Sequence, residues 1–174
     1  MLIIQFTGLS GGGKTTISTR FKQLMEQQNH TVEIIDGDTY RNTLCKDLGF
    51  SKADRQENIR RLGKVAAQLA PQTSVVIIAA INPYQQVRHE LKTNYGVKTV
   101  WINCDIDELL KRDTKGLYKR ALLPNEHPNK IYNLTGINDT YDAPIDHDLQ
   151  INTHIETLQQ SVDKLMDFVK QYLE

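Results

Sequence analysis

The sequence predicts an α/β fold in three layers, a parallel sheet of about five strands flanked by helices. Three observations carry that prediction. Apolar runs and amphipathic stretches alternate along the whole chain, the pattern left when each strand is returned to a parallel position by a helix. The first apolar run passes through a glycine-rich turn straight into a helical pattern. The length, 174 residues, suits one well-buried core and is tight for two. A single domain over 1–174 is therefore expected.

Strands are predicted at Leu2–Phe6, Val32–Ile35, Val75–Ile81, Lys98–Asn103 and Asp148–Ile151, and helices at Lys14–Gln28, Asp54–Leu69, Tyr84–Asn94, Ile106–Arg112 and Thr157–Tyr172. In the last helix Leu158, Val162, Leu165 and Val169 recur at helical spacing and mark a core stripe. Thr153 and Glu156 have the spacing of a capping box ahead of it. Leu122–Asn133, with Pro124, Pro128 and several Asn, fits neither period. A loop this long and polar in a compact domain reads as a mobile active-site lid, spanning about 115–137 with its roots.

Lysine plus arginine and aspartate plus glutamate both number 21, so the chain carries no net charge and nucleic acid is not expected as a partner. Cys45 and Cys104 are far apart and read as small buried thiols of a reducing compartment. No apolar run reaches membrane-spanning length, so no membrane is expected. Leu2-Ile3-Ile4 lacks the basic flank of a signal peptide, and the expected setting is cytoplasmic.

Gly8-Leu9-Ser10-Gly11-Gly12-Gly13-Lys14-Thr15 is a G-x-x-x-x-G-K-[ST] phosphate-binding loop, placed between a strand and a helix as its mechanism requires. Backbone N–H groups of Gly8 to Thr16 are expected to cradle ATP, Lys14 to reach the β- and γ-phosphates, and the Thr15 hydroxyl to bind Mg²⁺. The third strand ends without an aspartate, so the acidic duty falls on Asp36 and Asp38 at the end of the second. A carboxylate there can hold Mg²⁺ waters or accept the proton of an attacking hydroxyl. Arg41, Arg55, Arg60 and Arg61 concentrate cations nearby; Arg55 and Asn58 share a helix face, whereas Glu57 and Arg61 form a solvated i,i+4 pair. A cation, an amide and an aromatic together suit a flat, anionic acceptor such as a nucleotide. The basic run Arg112–Arg120 lies at the lid's root, where closure can bring charge onto a transferring phosphoryl group.

The phosphate loop, Asp36-Gly37-Asp38, Lys46-Asp47-Leu48-Gly49-Phe50-Ser51, Asp54-Arg55-Gln56-Glu57-Asn58-Ile59-Arg60-Arg61, Lys115-Gly116-Leu117-Tyr118-Lys119 and Leu134-Thr135-Gly136-Ile137 occur in that order. Together, over Gly8 to about Asn152, they closely resemble the adenylylsulfate kinase family. The resemblance implies transfer of the ATP γ-phosphoryl group to the ribose 3′-hydroxyl of adenosine 5′-phosphosulfate, with Mg²⁺ as cofactor, in sulfate assimilation. It implies Lys14 and Asp38 as catalytic residues, Asp38 serving as base or as metal organiser through water. It assigns the acceptor to Asp36, Asp38, Arg41, Phe50, Arg55, Asn58, Ile81, Asn82, Lys115 and Leu134, with Phe50 stacking on its adenine. Relatives commonly dimerise, so the resemblance also admits a homodimer.

This chain departs from the family's pattern in four places. Asn82 stands where many members have a serine proposed to be phosphorylated; an amide cannot carry a phosphoryl group, so direct in-line transfer is expected, with Asn82 donating a hydrogen bond to the acceptor. Leu134 replaces a usual Phe, leaving the adenine between Phe50 and an aliphatic face and removing a stacking partner worth roughly 1 kcal/mol. The lid segment is several residues longer than usual. The first strand starts at Met1, so regulation or dimer contacts residing in a preceding segment are expected to be absent. Two other readings compete. Another small-molecule or nucleotide P-loop kinase leaves the run from Asp36 to Arg61 unexplained. A non-catalytic nucleotide-binding regulator does not explain why Lys14, Thr15, Asp38, Arg41, Arg55 and Asn58 are all present.

Overall fold

A computed structural model describes residues 1–173; Glu174, the last residue of the expected domain, lies outside the described residues. Five strands, β1 (Leu2–Thr7), β2 (Val32–Asp36), β3 (Val75–Ala79), β4 (Lys98–Asn103) and β5 (Leu149–Asn152), form one parallel sheet in the order β2-β3-β1-β4-β5. Among the described residues seven α-helices connect and cover them: α1 (Lys14–Gln27), α2 (Gly37–Arg41), α3 (Lys52–Leu69), α4 (Gln85–Tyr95), α5 (Ile106–Arg112), α6 (Leu117–Ala121) and α7 (Leu158–Lys170). The three-layer architecture is as expected.

Strand alternation divides the core in two. Leu2, Ile4 and Phe6 of β1 join Val75 and Ile77 of β3 against Phe21 and Met25 of α1 and Val162, Leu165 and Val169 of α7; Leu158, expected in the same stripe, is the first residue of the helix and is exposed. Ile3, Val76 and Ile78 face the other way, onto Ile59, Leu62 and Leu91 of α3 and α4. Gln5 falls on this second face, fully buried, and introduces polar chemistry into it. A third, smaller cluster of Leu109, Tyr118, Ala121 and Leu134 lies beneath the lid segment, with Leu9 of the phosphate loop packed on it.

Several boundaries differ from expectation for local reasons. The third strand stops at Ala79, because Asn82 takes a positive φ of 46° and turns the chain toward α4. Helix α3 starts at Lys52 rather than Asp54, capped by the Ser51 hydroxyl on the Asp54 N–H. The capping box before α7 is formed by Thr157 and Gln160, not Thr153 and Glu156. Thr153 instead donates to the Gly12 carbonyl at 2.9 Å, and Glu156 accepts from Asn152 N–H and Lys164. The five-residue helices α2 and α6 were not predicted; each is too short to show a period.

Candidate active site

The phosphate loop leaves β1 and enters α1 along the centre of the sheet, where the carboxyl ends of the parallel strands converge. Its first residue has no room for a side chain: a Cβ on Gly8 would lie 2.2 Å from the Ile102 carbonyl oxygen of β4. The Lys14 ammonium folds back onto the carbonyls of Gly8 and Leu9 at 2.8 and 2.7 Å. Desolvation there lowers its pKa from 10.5 to about 8, against the opposing pull of Asp38.

Asp36 ends β2 and caps α2. Its Oδ1 accepts from the N–H groups of Asp38 and Thr39, both at 3.0 Å, while Oδ2 faces the Thr15 hydroxyl at 3.4 Å. Asp36 thus closes a turn and also presents its second carboxylate oxygen to the Thr15 hydroxyl. Asp38 accepts from Lys115 Nζ at 2.6 Å.

Arg55 is 8% exposed and acts as a hub. Its guanidinium donates to the carbonyls of Phe50 (2.9 Å) and Asn133 (2.6 Å) and to the Thr135 hydroxyl (3.2 Å), and it pairs with Asp139 at 3.4 Å. Arg41 donates to the Gly49 carbonyl, and its guanidinium lies 4.6 Å from the Phe50 ring centroid, with that of Arg55 at 5.5 Å. Phe50 itself is 54% exposed, a large aromatic face held over the opening rather than packed away. As expected, Arg55 and Asn58 share the buried face of α3, and Glu57 pairs with Arg61 at 3.1 Å. The Asn58 Oδ1 is buried with no partner among the described residues.

A single cleft of about 660 Å³ joins these two halves. Ser10, Gly11, Gly13, Lys14, Thr15, Thr16, Asp36, Asp38, Phe50, Arg55, Ile81, Lys115 and Leu134 all line it. Arg41, Asn58, Gly8, Leu9 and Gly12 do not line it. Asn82 departs from expectation. It is completely buried, and its amide donates to Gln5 Oε1 at 2.8 Å, so it is not in place to bond an acceptor. Leu134 is 7% exposed and shows the cleft only part of its side chain.

Sequence reasoning missed several residues that assemble the site. Tyr118 on α6 is buried, and its hydroxyl donates to the Ser10 carbonyl at 2.7 Å, docking α6 onto the phosphate loop. Thr135 and Asp139 hold Arg55; Thr135 lies in a motif already singled out, whereas nothing local marks Asp139. The segment Leu122–Asn133 covers the cleft through Ile131 and Asn133. It is tied down by Ile131 N–H on the Arg120 carbonyl (3.2 Å), Arg120 on the Asn129 carbonyl (3.1 Å) and Tyr132 on the Asn125 carbonyl.

A phosphate loop at the centre of a β2-β3-β1-β4-β5 parallel sheet, opening into one cleft with an arginine-rich second half, defines a P-loop kinase. Residues 1–152 match the family model described as adenylylsulphate kinase. The chain is 41% identical over 164 residues to an adenylyl-sulfate kinase of Picosynechococcus sp., covering 94% of this chain and 90% of that protein. It is 40% identical over 163 residues to that of Rippkaea orientalis, covering 93% and 87%. The solved Mycobacterium tuberculosis APS kinase CysC, in complex with AMPPNP and APS, superposes with a TM-score of 0.87 at 29% identity over 97% of each chain. The chain belongs to the adenylylsulphate kinase family.

Proposed function

We propose that this chain phosphorylates the ribose 3′-hydroxyl of adenosine 5′-phosphosulfate by direct in-line transfer from ATP, with the roles set by the two ends of its cleft. One observation carries the reading: the phosphate loop with Lys14 and Thr15, and the acceptor wall of Phe50, Arg55 and Leu134, line the same enclosed space as Asp38. Lys14 leaves its loop carbonyls to meet the donor phosphates. Arg55 keeps its hub contacts while its cationic face, with Phe50 beside it, receives an anionic nucleotide. Asp38 accepts the hydroxyl proton or orients the attacking oxygen.

Thr15 and Asp36 fit Mg²⁺: they offer two hard oxygens 3.4 Å apart beside the phosphate loop. Among the described residues no group of three or more His, Cys, Asp or Glu forms a metal cage, and Mg²⁺ needs none when phosphates and water complete its shell. When bound, Mg²⁺ would neutralise charge on the phosphates. A carboxylate beside Thr15 thus comes from Asp36, leaving Asp38 for the hydroxyl. A role in sulfate assimilation, cytoplasmic residence and a homodimeric state extend this reading by kinship with the family. Among the described residues no helix is long and apolar enough to cross a membrane.

The test is an acceptor panel with Mg-ATP, with the product's phosphate position read by NMR. Adenosine 5′-phosphosulfate should be the preferred acceptor and the 3′-position the site. Preference for AMP or a nucleoside would sink the reading, as would failure to release ADP with saturating acceptor.

A further inference from the structure

Arg88 on α4 is the largest side chain that the fold buries completely, 2% exposed, and nothing in the cleft wall accounts for it. Its fork reaches neutral oxygens: the Asn82 carbonyl from Nη1 at 2.7 Å, and the Asp142 carbonyl and Gln85 Oε1 from Nη2 at 2.5 and 2.8 Å. The Thr7 hydroxyl stands 3.5 Å from Nη1, and the guanidinium lies 5.9 Å from the Tyr141 ring centroid. Burial holds its pKa below the ordinary arginine value. A cation kept dry against neutral partners is a stability liability compared with an apolar side chain.

We propose that Arg88 is a positioning residue for phosphoryl transfer, whose fork sets the phosphate loop against the exit of β3. Thr7 is the last residue of β1, directly before Gly8. Its hydroxyl meets the carbonyls of Ile81 and Asn82, each at 3.0 Å, and the Tyr141 hydroxyl at 2.9 Å. The Gly8 N–H donates to the same Ile81 carbonyl at 3.2 Å, and Ile81 lines the cleft. The Asn82 carbonyl is therefore where the guanidinium and the Thr7 hydroxyl converge. Nη2 holds the segment that returns from the lid. Asp142 N–H donates to the Pro83 carbonyl at 2.8 Å, and the Asp142 carboxylate caps the Gln85 N–H at 3.0 Å. One planar group thus fixes three distant segments, at residues 7, 82 and 142, immediately behind the donor and acceptor ends. A lysine ammonium is a point donor on a flexible stem and lacks the rigid fork whose two arms, Nη1 and Nη2, hold the Asn82 and Asp142 carbonyls at separate points.

The inference rests on the kinase reading, and wild-type transfer to adenosine 5′-phosphosulfate is the control that tests that reading separately. Arg88→Lys keeps the charge and loses the fork; Arg88→Gln loses both. Turnover at saturating substrates should fall by about 10- to 100-fold in each. The dissociation constant for a non-hydrolysable ATP analogue, by calorimetry, should stay within about threefold, the signature of lost alignment rather than lost binding. Wild-type turnover in Arg88→Lys with loss in Arg88→Gln would overturn the proposal in favour of charge alone. So would a turnover loss that merely follows the unfolded fraction at assay temperature. If Arg88→Lys shows no cooperative unfolding, Thr7→Val decides, because it removes the hydroxyl that meets the same carbonyl while leaving the cleft intact. It should show the same loss of turnover with retained ATP binding, and full activity in a folded Thr7→Val would overturn the proposal.

Discussion

Lys115, just ahead of α6, donates to the Asp38 carboxylate at 2.6 Å, an ion pair between two residues that line the cleft. The side chains are 56% and 76% exposed, so water screens them and the pair contributes less than about 1 kcal/mol to folding. Lys115→Met should therefore shift the unfolding free energy by no more than about 1 kcal/mol. Turnover should fall at least about tenfold, because the cation that meets Asp38 is gone. Denaturant titration and steady-state kinetics on one preparation check both; unchanged turnover removes Lys115 from the reaction.

Asp38→Asn keeps the shape of the side chain and removes its basicity. Turnover is expected to drop by about 10²- to 10⁴-fold, the range for loss of a general base, with ATP binding nearly unchanged. Near-normal turnover would transfer the role of base elsewhere.

The Lys14 ammonium, with its pKa lowered to about 8 by desolvation, gives the free enzyme a distinctive alkaline limb. ATP needs the charged form, so its association should weaken by up to about tenfold per pH unit above that pKa, seen by calorimetry in the 8–10 range. The stability sign is opposite. Between about 8 and 10.5 the unfolded chain binds more protons at this lysine than the folded one, so its contribution to stability rises with pH across that window. Lys14→Ala should abolish the alkaline limb along with nearly all transfer.

Asn82→Ser restores the hydroxyl common in relatives but should create no phosphoenzyme, because position 82 is completely buried and faces Gln5. The lost amide leaves Gln5 Oε1 without its donor, costing about 1–3 kcal/mol. Labelled ATP without acceptor should leave the protein unlabelled, and thermal unfolding should move down; a labelled serine would contradict the geometry.

Leu134→Phe should give the acceptor's adenine a second aromatic partner opposite Phe50 and tighten acceptor binding by roughly three- to tenfold. The ring must turn toward the cleft, since Leu109, Tyr118 and Ala121 already fill the space behind Leu134. An unchanged or weaker dissociation constant would refute the stacking argument.

Lys14, Thr15 and the shared face of Arg55 and Asn58 were legible in the sequence because each rests on neighbours within one turn of chain. Arg55's role as a hub was not, since its partners sit about eighty residues away at Asn133, Thr135 and Asp139. A still longer separation, 108 residues, hid Tyr118 on Ser10, and the partners of Arg88 at Thr7 and Asp142 lie 81 and 54 residues away. The misplaced capping box has a different cause. Thr153–Glu156 and Thr157–Gln160 carry equivalent patterns, and the choice fell to the Gly12 carbonyl, which claims the Thr153 hydroxyl. Asn82 was misjudged because its strand ends two residues early and the positive φ swings the side chain inward.

Gly8 abuts the Ile102 carbonyl so closely that even a methyl group would collide with it. The phosphate loop is thereby seated directly on the backbone of β4, with the Tyr118 and Thr153 hydroxyls holding its Ser10 and Gly12 carbonyls. Substitutions in the cleft wall away from that seat leave the approach of Gly8 to the Ile102 carbonyl untouched. Redesign for another acceptor therefore has the walls at Phe50 and Leu134 free to vary, and an inherited datum at Gly8 from which to measure.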